Sequence, residues 1–270
     1  MDFFDAYPPS EALRPYIESY AIIKFTEPMS YNVLPNQVLV MGIYPDGLLT
    51  STQGTSAVEV RAELFGLHDH WRSFHMQPSE FVTIHFTALG AGTFFKVPLH
   101  ELFNGSSALE AFVSASTLEE LTERFVLAPT QAEKVRVLDH FFTTRLLHTS
   151  PDPLVQGALC FIYESQGVLP MSELASQLHI SQSRLEKRFR SQVGTSPKKY
   201  ASLVRLHTLL HHHQPDVPLT QYAYELGYFD QAHFARDLKA FSGVSPKALF
   251  RSMKSISAFR VYPNGVYPNE

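Results

Sequence analysis

The chain has 270 residues, enough for two ordinary domains with separate cores, and 44% of them are hydrophobic, as in a globular protein. It contains no run of about 18 apolar residues that could cross a bilayer. Its acidic start, Met1-Asp2-Phe3-Phe4-Asp5, lacks the basic and apolar regions of a signal peptide.

Cys160 is the only cysteine, so an intrachain disulfide is excluded and the cytoplasm is the expected compartment. The net charge of −4 is unevenly spread. Residues 1–170 carry 9 Lys/Arg and 19 Asp/Glu, a balance of −10, whereas residues 171–260 carry 13 and 6, a balance of +7. Such a division is expected where only one half of a chain meets a polyanion.

In chain order, residues 16–86 read mostly as strands. The segments 16–23, 37–41, 58–64 and 81–86 are β-branched or aromatic-rich, and Val82, Ile84 and Phe86 share one face. Pro45-Asp46-Gly47 and Gln53-Gly54 supply turns between them. Short strands without helical crossovers predict an antiparallel barrel or sandwich. After Asn104-Gly105 the period becomes helical, through Leu109, Phe112 and Val113, then Leu118, Leu121 and Phe125. Thr130 with Glu133 forms a capping-box pattern, predicting a helix to about Leu147 with Val135, Leu138, Phe142 and Leu146 on one face. That face is a candidate dimer seam or an ordinary intramolecular packing face. Ser150-Pro151-Asp152-Pro153 then breaks the pattern.

This division assigns residues 1–150 to a β-barrel domain with following helices, 151–255 to an all-α domain and 256–270 to a tail, an α+β chain overall. Within the second domain lies a repeat. Val193-Gly194-Thr195-Ser196-Pro197-Lys198 matches Ser242-Gly243-Val244-Ser245-Pro246-Lys247 at an offset of 49, while Ala175 and Leu178 match Ala223 and Leu226 at 48. The second copy therefore holds one extra residue in its turn.

Each copy reads as a helix-turn-helix. In the first, a helix over 172–178 is followed by a turn at His179-Ile180-Ser181 and a helix from Gln182 to Val193 capped by Ser181. Leu185, Phe189 and Val193 point to the core, leaving Gln182, Ser183, Glu186, Lys187 and Arg190 outside. In the second, Thr220 is the expected cap of a helix through Leu226. Gly227 turns, and Asp230 caps a helix to about Phe241 with Gln231, Ala232 and Arg236 outward. A connecting helix should run from Lys198, whose ammonium can meet phosphate, to about His212. A short polar-faced helix pinned by its predecessor is how a major groove is read.

These residues resemble the AraC/XylS family of bacterial regulators. The resemblance rests on Glu173-Leu174-Ala175, Ser181-x-x-x-Leu185-x-x-x-Phe189, Val193-Gly194-Thr195-Ser196-Pro197, Leu226-Gly227-Tyr228-Phe229-Asp230-Gln231 and Ser242-Gly243-Val244-Ser245-Pro246, and covers about residues 154–251. It implies a transcription activator that binds double-stranded DNA and meets RNA polymerase. It also implies a cupin-like barrel that senses a signal, followed by dimerisation helices, and so a homodimer controlled by a small-molecule effector or a partner. By the resemblance Ser183, Glu186 and Lys187 face bases in the first unit, and Gln231, Ala232 and Arg236 in the second. The chain departs from the family at His179, a usual glycine, and at Leu238, a usual phenylalanine. Ala232 offers no hydrogen bond to a base, so the second unit is expected to position more than to read.

Phe65, Trp71, Phe74 and Phe86 are candidates to line an effector pocket inside the barrel. His68 and His70, with His75 and His85, suggest a metal, but Glu80 falls too far from the pair for the cupin pattern, so they are read as surface and rim histidines. His211-His212-His213 is expected at a helix C-terminus, because adjacent helical residues diverge by about 100° and cannot converge on one ion. Cys160 is expected to pack on the first helix of the DNA-binding domain. Hydrolase, phosphate-loop and zincin motifs are missing from the sequence. No enzymatic role, cofactor or metal is therefore expected. The alternatives are a metal-dependent cupin enzyme fused to a DNA-binding module, or a constitutive regulator with a purely structural barrel.

Overall fold

A computed structural model describes residues 3–45, 49–51, 61–95, 97–146, 151–212, 217–228, 230–255 and 266–268. The N-terminal half is antiparallel β. One sheet holds β1 (Phe3–Tyr7), β2 (Ile17–Phe25), β4 (Val40–Ile43), β6 (Ala62–Phe65), β8 (Ser79–Phe86) and β9 (Ser106–Ala108), in the order β1-β2-β8-β4-β6-β9. The other holds β3 (Met29–Val33), β5 (Leu49–Ser51), β7 (Arg72–Met76) and β10 (Val266–Pro268), in the order β10-β3-β7-β5. Sequence patterning finds β2, β4, β6 and β8 with shifted ends. It misses β1, β3, β5, β7 and β9, and the early half of its 58–64 segment lies outside the described residues, as do Asp46-Gly47 and Gln53-Gly54 of the expected turns. Residues 266–268, expected as tail, add a strand to β3.

The two-residue period of β8 decides which side chains meet. Val82, Ile84 and Phe86 face a large core, while Phe81 joins Ala21, Ile23, Phe25, Phe74 and Met76 in a smaller core between the sheets. The large core is closed by α2 (Ala115–Leu127) and α3 (Gln131–Thr143), through Leu118, Leu121 and Phe125 and through Leu138, Phe141 and Phe142. A one-turn helix, α1 (Ala91–Phe94), adds Phe94, whose ring lies 4.9 Å from that of Phe142.

Thr130 caps α3 as expected, accepting from Glu133 N at 3.3 Å, and its hydroxyl also donates to the Glu133 carboxylate at 2.8 Å. The helix ends at Thr143, and Leu147 lies outside the described residues. Its buried face is not quite the expected one. Lys134, Leu138, Phe141 and Phe142 are buried, and Val135 and Leu146 only partly so. Lys134 can be buried because its ammonium pairs with Glu80 on β8 and lies 5.1 Å from the Phe125 ring centroid. Leu138 and Phe142 are fully occupied inside their own protomer, so that face cannot be a dimer seam.

The rest is helical: α4 (Pro153–Glu164), α5 (Met171–Gln177), α6 (Gln182–Val193), α7 (Pro197–His212), α8 (Leu219–Glu225), α9 (Gln231–Ser242) and α10 (Pro246–Ser255). Asp152 caps α4, with Pro153 at its first position, so the expected Pro-Asp-Pro break is a helix start. It does not divide two cores. Val155, Ile162, Leu174, Leu185, Phe189 and Tyr200 continue the core begun by Phe86 and Phe142. Cys160, expected to pack, is exposed on α4 with its thiol 3.2 Å from Glu164 Oε1, because Val155, Ala158, Leu159 and Ile162 take the buried face.

Candidate DNA-binding surface

The two helix-turn-helix copies repeat at the level of single hydrogen bonds. In the first turn Leu178 N, His179 N and Ile180 N donate to Leu174 O, Ser176 O and Ala175 O at 3.2, 3.0 and 3.0 Å. In the second, Leu226 N, Gly227 N and Tyr228 N donate to Tyr222 O, Tyr224 O and Ala223 O at 2.9, 3.0 and 2.9 Å, each offset by 48. His179 and Gly227 are both left-handed, with φ 51° and 70°. Glycine adopts that geometry freely, whereas a histidine there costs about 1–2 kcal/mol.

Ser181 caps α6 by accepting from Arg184 N at 3.3 Å, and Asp230 caps α9 by accepting from His233 N at 2.6 Å, both as expected. The expected cap Thr220 is instead inside α8, and Pro218 stands at its N-cap. The same holds for Pro170 before α5, so both leading helices use proline to set their entry.

Burial divides the two recognition helices cleanly. Leu185, Phe189 and Val193 are buried on α6, and Phe234 and Leu238 on α9. Gln182, Ser183, Glu186, Lys187 and Arg190 are all exposed, as are Gln231, Ala232, Arg236 and, at the start of α7, Lys198. Glu186 accepts from Arg190 Nε and Nη2 at 2.9 and 2.7 Å, so these two offset each other. Among the described residues Lys187 has no carboxylate within 4.0 Å. Arg188, by contrast, is an anchor, with Nη1 2.5 Å from Asp152 Oδ2 at the cap of α4.

The 16 residues of α7 serve both units. Tyr200, Ala201 and Val204 belong to the first unit's core, and Leu203, Leu206, Leu209 and Leu210 to the second. At about 1.5 Å per residue α7 spans roughly 24 Å. It ends at His212, so His211 and His212 are exposed at a helix C-terminus, and His213 lies outside the described residues.

Sequence patterning gives no hint of how the β half grips α7. Lys199 Nζ lies 2.8 Å from Asp69 Oδ2, the Tyr200 hydroxyl donates to Gln37 O at 2.9 Å, and His207 Nε2 donates to Pro35 O at 2.9 Å. Burial lowers the pKa of His207 to about 4, so it stays neutral. Leu34 and Trp71 pack on the second unit's core.

The four candidate pocket aromatics are not brought together. Phe65 and Phe74 meet edge-on between the sheets at 5.8 Å. Phe86 is on the opposite face of its strand, 5.8 Å from Phe142, and Trp71 is at the junction with α7 and α9. The histidines expected at the surface are partly interior. His68 is buried with Nε2 3.2 Å from Leu34 O, and His85 is buried beside Thr83 Oγ1 at 2.8 Å. His70 and His75 turn to Asp69 and Ser30. Among the described residues no three His, Cys, Asp or Glu side chains are grouped to hold a metal, and no helix is long and apolar enough to cross a membrane.

A family profile described as a helix-turn-helix domain matches residues 174–252, and one for a domain of unknown function (DUF6597) matches residues 5–108. No curated protein matches. Among solved structures, ToxT from Vibrio cholerae is similar at 13% identity over 86% of this chain and 97% of its own, with a TM-score of 0.45. The C-terminal domain of AraT, a response regulator from Geobacillus stearothermophilus, is 26% identical over 41% of this chain and 93% of its own, with a TM-score of 0.35. An AraC-type regulator from Chromobacterium violaceum is 23% identical over 36% of this chain and 88% of its own, with a TM-score of 0.32. Behind residues matched by a domain of unknown function, the chain carries a helix-turn-helix domain over residues 174–252.

Proposed function

We propose that the protein is a sequence-specific regulator in which α6 reads bases, α9 mainly positions, and the β half controls both. One observation carries this reading. Two capped helices, repeated hydrogen bond for hydrogen bond, each bury one apolar face and expose a polar one. Gln182, Ser183, Glu186, Lys187 and Arg190 then face one major groove, Gln231, Ala232 and Arg236 face the next, and Lys198 meets phosphate. The reading places one protomer on about 20 base pairs, two major grooves apart by one turn. Footprinting of the full chain on a selected operator tests it. Two protected grooves on one face of the duplex are expected, with binding that falls steeply as salt rises. One protected groove per protomer would leave α9 without a DNA role.

Control from the β half is supported by the shared core and by the grip on α7, since any shift of Gln37, Pro35 or Asp69 moves Tyr200, His207 or Lys199. An effector between the sheets would meet Phe65, Phe74 and Arg72, whose guanidinium is buried with Nη2 lacking a hydrogen-bond partner. Activation and contact with RNA polymerase rest on the family resemblance. A homodimer would use a surface other than the α3 core face, such as the exposed Val126 and Leu127 at the end of α2.

A further inference from the structure

The repeat of the two DNA-binding units extends to what covers them. Gly194 ends α6 and Gly243 ends α9, 49 residues later, and both are left-handed, with φ 94° and 75°. Each meets one residue of the β half. A methyl group on Gly194 would lie 3.1 Å from Leu99 O and 3.4 Å from Leu99 Cβ, in the 3-10 turn Leu99–Leu102. A methyl group on Gly243 would overlap the Trp71 indole at Nε1 and Cε2. Both glycines therefore serve twice, as left-handed caps and as seats with no side chain in the way.

The two seats belong to different cores. Leu99 lies in the large core with Phe86 and Phe189. Trp71 packs on the second unit's core beside Leu34, which is buried with Phe234 and Leu238. Trp71 and Leu34 flank one corner of the second sheet, where Arg72 pairs with Val33. The chain end returns to the same corner, with Val266 of β10 opposite Val33. The units also touch each other directly. Arg205 of α7 donates from Nη1 to Gly167 O at 2.9 Å and lies 5.3 Å from the Tyr228 ring centroid. Contacts along one helix leave bending and twisting of that helix as the softest motion. Two further contacts, made by one packed β body at the ends of α6 and α9, oppose it.

We infer that Leu99 and Trp71 are positioning residues: acting through Gly194 and Gly243, they let the β half set the separation of α6 and α9 before DNA is met. This rests on the two-groove reading above and adds where the spacing comes from. Helices held at the right separation in advance need no ordering when they bind, so the second groove is engaged at little entropic cost.

The test uses the full chain with Cys160→Ser and spin labels on Ser191→Cys and Ala240→Cys, exposed positions 49 apart and outside the groove-facing sets. Pulsed dipolar spectroscopy reads the label distance, with and without a selected operator. One narrow distance is expected, the same free and bound. Trp71→Ala should broaden the distribution in the free chain and weaken operator binding about tenfold, because ordering then falls on the binding step. Trp71→Phe, which keeps a ring on Gly243, should restore both. Gly243→Ala, which displaces the indole, should act like Trp71→Ala, and the two together should broaden the distribution no further. Each variant is read at a temperature where its helical dichroism equals that of the parent, so unfolding is not mistaken for release. A broad distribution in the parent, or a narrow one in both Trp71→Ala and Gly243→Ala, would overturn the inference. So would a parent distance that changes on DNA, or tighter operator binding by Trp71→Ala, since the contact would then be a lock. The free-chain distance needs no DNA and the footprint needs no label, so failure here and failure of the regulator reading are distinguishable.

Discussion

The junction between the β half and the DNA-binding half can be tested with one oxygen atom. Tyr200 is wholly buried, 5.6 Å from the Phe189 ring of α6, and its hydroxyl makes two bonds across elements. It pairs with the Tyr163 hydroxyl at 2.5 Å and donates to Gln37 O, 163 residues away in sequence, at 2.9 Å. Tyr200→Phe keeps the ring, opens no cavity and removes both bonds. Each is worth about 1 kcal/mol net, with up to about 1 more for a group left unpaired. Tyr163 exposes part of its ring, but its hydroxyl is buried, with a pKa pushed up to about 12, so an unpaired cost falls on it as well as on the Gln37 carbonyl.

The expected loss is therefore about 2–4 kcal/mol for Tyr200→Phe and about 1 kcal/mol for Tyr163→Phe, which leaves the Gln37 bond in place. At a slope near 3 kcal/mol per molar, the first change lowers the urea midpoint by roughly 0.7–1.3 M. Two probes separate the halves. Trp71, the sole tryptophan, reports the β side of the junction by fluorescence, and far-ultraviolet circular dichroism reports mainly the helices. Because the core is continuous, both transitions should move together. A loss below about 0.5 kcal/mol, or a dichroism midpoint that moves while Trp71 fluorescence stays put, would refute the reasoning, since it would mean that the halves are stabilised separately.

On randomised DNA sites, Lys187→Ala and Glu186→Ala should each change sequence preference at one position by about 1–3 kcal/mol, and Lys198→Ala should weaken all sequences alike with a salt slope lower by about one. Retention of the wild-type preference by Lys187→Ala would show the wrong face of α6 in the groove. Lys134→Ala should destabilise by about 3 kcal/mol, the low end for a broken buried pair because Glu80 keeps 24% of its side chain exposed, and Lys134→Met with Glu80→Gln should recover part of it in thermal unfolding. Burial depresses the pKa of His68 and His85 to about 3 and of His207 to about 4, so below pH 6.5 the unfolded chain takes up protons that the folded one refuses. Stability should then fall as pH drops from 6.5 towards 4, by up to about 1.4 kcal/mol per pH unit for each histidine, and denaturation curves with a flat profile over that range would contradict it.

Neighbouring residues alone carry part of this architecture. Caps at Ser181 and Asp230, the left-handed Gly227, the Leu185-Phe189-Val193 stripe and the offset repeat each act within one or two turns of helix, where period and local hydrogen bonding decide the geometry. The outward faces of α6 and α9 follow from the same periodicity. Tertiary structure decided the rest. Phe86 looked like a companion of Phe74 because strand pattern says which residues share a face of one strand, yet cannot say which face turns to the second sheet and which to α3. Lys134 interrupts an apolar face and is buried only because Glu80, 54 residues earlier, comes to meet it. The grip of Pro35, Gln37 and Asp69 on α7 spans more than a hundred residues, and the first two use backbone carbonyls, which every residue carries and no sequence pattern marks. The break at residues 150–153 was legible as an interruption, but whether two cores or one formed across it depended on long-range packing, and one core continues from the barrel into the first DNA-binding unit.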